Sequence, residues 1–204
     1  MRRFNLSKFT LILSAMGTIL VLGLHAAPEA VDPPPETDRM LAAKETPFDK
    51  MMLVLTHKRC VNCHPAGDRP RQGEDSHYHN FGVVRGEDNH GIAALRCNAC
   101  HQNENNDYSG VPGAPEWSLA PLSMQWEGLS RVEIAHSMLD PARNGGRTLE
   151  QIVEHLTEHE LVLWAWEPGV NASGQPREKP PVPKDEYIQA VKEWAESGAV
   201  IPEQ

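Results

Sequence analysis

Aromatic side chains are scarce in this chain: Phe, Trp and Tyr make up 6% of its 204 residues. That is thin for an ordinary hydrophobic core of this length. Basic charge is also short, with 19 Lys and Arg against 28 Asp and Glu, a formal net charge of −9. So acidic a chain does not seek nucleic acid or anionic lipid, and long-range steering favours a partner with a basic face. There is no phosphate loop, dinucleotide fingerprint or nucleophile elbow. No cysteine is uncommitted: all four fall in two short motifs of the same form, so a disulfide framework is not expected.

Those motifs are Cys60-Val61-Asn62-Cys63-His64 and Cys97-Asn98-Ala99-Cys100-His101. Cys-x-x-Cys-His is the attachment run of c-type haem. The two thiols form thioethers with the haem vinyl groups, and the adjoining His gives the proximal nitrogen to iron. Two competing uses of paired cysteines fit less well. Zinc ribbons place their pairs about 15–20 residues apart, whereas 33 residues separate Cys63 from Cys97. A thioredoxin-like pair explains one copy and gives no reason for either histidine. The expectation is two haem c groups, held by Cys60, Cys63, Cys97 and Cys100, with His64 and His101 on the irons. Two porphyrins would supply the apolar surface that the side chains lack, and without them the chain should fold poorly.

The N-terminus agrees on compartment. Arg2, Arg3 and Lys8 precede an apolar run from Phe9 to Leu24, followed by the small residues Ala26 and Ala27. This is the layout of a secretory signal cleaved after Ala26. The 16-residue run is shorter than the ~20 residues of a spanning helix, and an uncleaved inner-membrane anchor is the alternative. Either way the protein is expected in the periplasm. Removing residues 1–26 takes three basic residues and no acid, leaving 16 − 28 = −12 for the mature chain. Residues 27–46 form a Pro-, Ala- and acid-rich leader, and residues 47–204 a single dihaem domain.

Within that domain the predicted class is mainly α, with short helices and long loops packed around the two haems and little or no β-sheet. A short helix opens at Pro47-Phe48-Asp49, with Met51, Met52, Val54 and Leu55 on its apolar face. Residues 65–91 read as a loop of low regular structure. Capping boxes at Ser130-x-x-Glu133 and Thr148-x-x-Gln151 announce two helices, separated by an Asn144-Gly145-Gly146 turn. Leu161–Trp166 fits a strand or a buried helical turn, since periodicity alone does not separate them. A last helix covers about residues 185–197, with Ile188, Val191, Trp194 and Ala195 inward and Gly198 as its stop.

The far side of each iron decides function, because a closed iron only passes electrons whereas an open one allows chemistry or gas binding. Candidate distal ligands are His77 and His79, which an extended loop puts on one side, and His90, seven residues before Cys97. Others are His155, on a helix between Ile152 and Leu156, and His57, three residues before Cys60 and placed to cap the other haem. Met124 lies in a Pro-bearing loop 23 residues past His101, the layout of small monohaem cytochromes with His/Met iron.

Residues 57–68, Asp75-Ser-His-Tyr-His79, Arg85-Gly86, His90-Gly91, residues 97–102, 144–149 and 161–169 together resemble a family of small dihaem cytochromes often labelled as a subunit of isoquinoline oxidoreductase. The resemblance runs over about residues 47–200. It implies an electron-accepting partner for a molybdenum hydroxylase, exported beyond the inner membrane, with any substrate chemistry on another chain. His57, His77, His79, His90, Met124 and His155 fall in stretches that look like the family pattern; His159 does not. The expected activity is electron transfer, not catalysis. A dihaem enzyme of peroxidase type with one open iron, and a haem gas-binding module, are the alternatives.

Overall fold

The computed structural model describes residues 45–203. The expected signal segment and nearly all of the expected leader lie outside the described residues. Helix α1 (Pro47–Leu55) starts where Thr46 closes a capping box with Asp49, and Pro47 supplies a preset backbone angle at the first position. After Thr56, His57 caps a single further turn, α2 (Lys58–Val61), that carries Cys60. The two capping boxes read from sequence form as expected: Ser130 with Glu133 opens α3 (Arg131–Leu139), and Thr148 with Gln151 opens α4 (Leu149–Glu158). Leu161–Trp166 is helical rather than extended, as α5 (Glu160–Leu163) and a tight turn over Trp164–Trp166. The last helix, α6 (Lys184–Glu196), stops before Gly198, whose φ is 89°.

The rest is loop, with two small antiparallel hairpins. β1 (Arg71–Gln72) pairs with β2 (His77–Tyr78), and β3 (Gly91–Ile92) with β4 (Leu95–Arg96). The fold is therefore mainly α; β1–β2 falls inside the 65–91 stretch expected to have low regular structure, and β3–β4 begins at its end. No helix among the described residues is long and apolar enough to cross a membrane.

α6 is the spine: α1 and α4 both pack on it. Met51, Met52 and Leu55 from α1 meet Tyr187, Val191 and Trp194 from α6, all essentially without solvent exposure. The buried face of α6 is centred on Tyr187, Ala190, Val191 and Trp194, so Ile188 and Ala195 stand only at its edge. Trp194 is a core residue whose indole donates to Val200 O at 3.0 Å. The other deep indoles also find acceptors: Trp126 on Ser137 Oγ at 3.1 Å and Trp166 on Val182 O at 2.8 Å. The Tyr187 hydroxyl is the exception, fully buried with no partner among the described residues.

That contrast generates a prediction. Trp194→Ala should cost about 3–5 kcal/mol of stability. Tyr187→Phe removes no hydrogen bond and should stay within about 1 kcal/mol of the parent, or gain slightly. Thermal unfolding of both variants checks it, and an equal loss in the two would show that the tyrosine oxygen has a partner.

Candidate functional site: two matched histidine sites

Each histidine that follows a cysteine pair is held in the same way. His64 donates its Nδ1 proton to Met124 O at 2.6 Å, and its ring stacks on Trp126 with centroids 3.6 Å apart and planes 10° from parallel. His101 donates its Nδ1 proton to Pro112 O at 2.7 Å, and stacks on Trp117 at 4.5 Å and 5°. In both, a backbone carbonyl fixes the tautomer and an indole fixes the ring plane. Nε2, the nitrogen left bare, has no partner among the described residues. An imidazole so arranged could serve as a neutral ligand, because its second nitrogen is supported in the way that of a metal-binding histidine is.

Burial keeps both rings uncharged. Desolvation pushes His64 down to about 4 although the Met124 carbonyl pulls the other way, and it lowers His101 as well. The thiols beside them are kept protonated by the same cause, Cys60 pushed up to about 12 and Cys63 to about 11, with Cys97 also raised.

The loops that deliver these carbonyls are clipped to the motifs. Segment 119–127 runs along the first: Ala120 N–H donates to Cys63 O at 3.0 Å, and Trp126 N–H to His64 O at 2.9 Å. The buried Arg85 guanidinium ties the 65–91 loop to this segment by donating to Gly67 O at 3.0 Å and to Ala120 O. At the second motif Asn105 is the clip. Its Oδ1 accepts from Gly113 N–H at 3.1 Å and from the Trp164 indole at 2.9 Å, while its Nδ2 donates to Glu167 O at 2.8 Å. Trp164 in turn meets Trp117 edge-on at 4.9 Å.

The two sites differ in their surroundings. Cys60, Cys63 and His64 line a cavity of about 420 Å³ walled by Leu55, Leu119, Ile152 and Leu156. At the second motif Cys100 is exposed, and Phe81 and Tyr108 on nearby chain segments stand free in solvent, 87% and 105% exposed.

The other candidate ligands scatter. His79 faces His101, with ring centroids 6.0 Å apart, and donates Nδ1 to Asn80 O at 2.8 Å. His155, His90 and His159 all line the first cavity. His90 donates Nδ1 to Asp88 O at 2.7 Å. His155 makes no hydrogen bond among the described residues; burial and the neighbouring His159 push it down to about 4. His77 is engaged at both nitrogens, with Asp75 at 2.6 Å and Gln72 at 3.1 Å. His57 is too, with Glu178 at 3.2 Å and the Arg59 N–H at 3.3 Å. Met124 lies on the Nδ1 side of His64, contributing its carbonyl there. Sequence reasoning missed Trp117, Trp126, Pro112 and Asn105. Only the tryptophans carry a signal, since two of five in the chain follow the motifs by 16 and 62 residues with no helical or strand pattern around them.

Among the described residues no group of three or more His, Cys, Asp or Glu side chains is gathered as a bare metal ion would need. No family model matches the chain, nor does any curated protein or solved structure.

Gly113, next to the Pro112 carbonyl, tests how tightly the second site is built. A Cβ there would run into the carbonyl oxygens of Gln102 and Glu104, whereas at Gly67 nothing lies within 4 Å. Gly113→Ala should cost about 1–3 kcal/mol and Gly67→Ala no more than about 0.5 kcal/mol, measured by thermal unfolding. Equal effects would mean that the loop yields freely.

Proposed function

We propose that this chain is an exported, periplasmic dihaem c-type cytochrome that carries electrons to or from a redox partner, as a free carrier or as a subunit of an oxidoreductase. The observation that carries the reading is the repeated histidine geometry: behind each Cys-x-x-Cys pair stands a neutral imidazole, braced at Nδ1 by a carbonyl and on its face by an indole, with Nε2 free. Haem bound at such a site supplies a one-electron iron couple. Cys60 and Cys63 would hold the first group and Cys97 and Cys100 the second, by thioethers, with His64 and His101 as axial ligands. The short helices and long loops would then pack around the two groups as part of the core.

Zinc is the weaker reading. Its structural sites need four ligands converging in a tetrahedron, and among the described residues no group of three or more His, Cys, Asp or Glu side chains is so gathered. Electron transfer is favoured over catalysis because Trp117, Trp126, Asn105 and the Pro112 and Met124 carbonyls around the two sites are engaged in holding the rings and loops in place. The chain's net charge of −9 favours a partner with a basic docking face. A molybdenum hydroxylase is the partner that the family resemblance implies.

Intact mass of the protein made with its own leader in a host that matures c-type haem tests the reading. Two covalent haems are expected on the parent chain, one on Cys60→Ala/Cys63→Ala, and one on Cys97→Ala/Cys100→Ala. A folded chain that carries no covalent haem would overturn the proposal.

A further inference from the structure

We propose that a second histidine of this chain closes the far side of each iron: His79 opposite His101, and His155 opposite His64. The proposal rests on the dihaem reading and goes beyond it, because it names the ligands that make both sites unreactive carriers.

The His79–His101 pair is the stronger half. Two imidazole nitrogens bound at about 2 Å on opposite sides of one metal put their ring centroids roughly 6 Å apart. The observed separation is 6.0 Å, with planes at 68°. His79 has the same electronic arrangement as the proximal residue, since Nδ1 donates to Asn80 O and Nε2 is left free. Its backbone is fixed where β2 ends, by His79 N–H donating to Pro70 O at 2.9 Å. His77, two residues earlier, has both ring nitrogens engaged and is withdrawn from the site.

At the first site four candidates are separated by geometry. Met124 lines the cavity, yet its carbonyl meets the His64 Nδ1 proton, so this residue is seated beside the proximal ring at the nitrogen away from Nε2. His57 has no free ring nitrogen. His90 and His155 both reach the cavity. The His90 ring sits on a loop, 43% exposed at its side chain. His155 instead stands on α4 between the buried Ile152 and Leu156, and neither of its nitrogens has a partner among the described residues. His159, one turn on, packs edge-on against it at 4.8 Å, and its Nε2 is 3.3 Å from Glu116. A rigid helix, a supporting neighbour and unspent nitrogens favour His155.

Carbon monoxide binding to the reduced, dihaem-loaded protein tests this, together with electron paramagnetic resonance of the oxidised form. The parent should bind no carbon monoxide and show two low-spin, bis-histidine signals. His79→Gly and His155→Gly should each convert one haem of the two to a high-spin, carbon monoxide-binding form, and added imidazole should restore the low-spin spectrum. His90→Gly should leave both irons closed. Because the parent spectra alone are diagnostic, a variant that fails to fold does not remove the test. A parent with an open iron, a methionine-to-iron charge-transfer band, or a His90→Gly variant that opens the first iron would overturn the assignment. Loss of covalent haem by mass would instead sink the dihaem reading itself, so the two failures are distinguishable.

Discussion

An imidazole can give only one nitrogen to a metal, and the other must hold a proton that needs an acceptor. On the dihaem reading, much of this structure follows from meeting that need twice. The chain between Gln102 and Gly128 has almost no regular structure, yet it contains the two carbonyls, at Pro112 and Met124, and the two indoles, at Trp117 and Trp126, that orient His101 and His64. A regular helix or sheet would spend those carbonyls on its own ladder. An irregular segment is therefore the appropriate way to supply them, and its backbone is stabilised by clips from outside, chiefly Asn105 and Arg85. The buried Arg85 guanidinium matters because burial lowers its affinity for the proton, so its carbonyl partners are needed to keep it satisfied as a charged donor.

The two sites are built on different parts of the fold. The first is a pocket in the helical body, lined from α1, α4 and segment 119–127, and α1 is itself anchored on α6. The second is assembled from loops and hairpins: β1–β2 leads to His79, β3–β4 leads to Cys97, and Arg177 binds the adjacent turns by donating to Pro168 O at 2.8 Å, Val170 O and Gly110 O. Damage to the helix packing should reach the first site before the second. The backbone joins the two, since His90 lines the first cavity with its ring while its carbonyl accepts from the Cys97 N–H at 2.9 Å.

The helices were legible because their signals are local. Thr148 and Gln151, or Ser130 and Glu133, need only each other and the turn between them, so the pattern in the chain is the contact in the fold. The two Cys-x-x-Cys-His runs are likewise local patterns, each within five consecutive residues. The bracing of the histidines was not, because a carbonyl acceptor can belong to any residue and leaves no side-chain mark. Met124 shows the difference: its thioether singled it out in the sequence, while its main-chain oxygen is what meets His64. The His77/His79 pair is separated by local contacts that spacing alone does not show. His77 has both ring nitrogens spent on Asp75 and Gln72 and lies over Gly73, whereas His79 keeps Nε2 free beside His101. Tyr187 was passed over for Ile188 because hydropathy ranks a tyrosine below an isoleucine, whereas the helix rotation set by Trp194 and Val191 decides which of them is inward.

On the dihaem reading, three physical terms act on the redox balance, and their directions differ between the sites. Imidazole in place of methionine on the far side of an iron lowers its potential, and this acts on both if His79 and His155 are the ligands. The excess of carboxylates in the chain also favours the more positive, oxidised state, but water and salt screen that field unequally. Burial in an apolar pocket opposes net charge; the first site has such a pocket, while at the second Cys100 is exposed. The pocket of the first site should therefore offset part of the lowering that the open second site keeps, placing the potential of the first above that of the second. An exposed site at lower potential beside a buried one at higher potential is an arrangement that takes electrons in at the surface and holds them inside. On the same reading an electron donor would approach the second motif, where Cys100 is exposed.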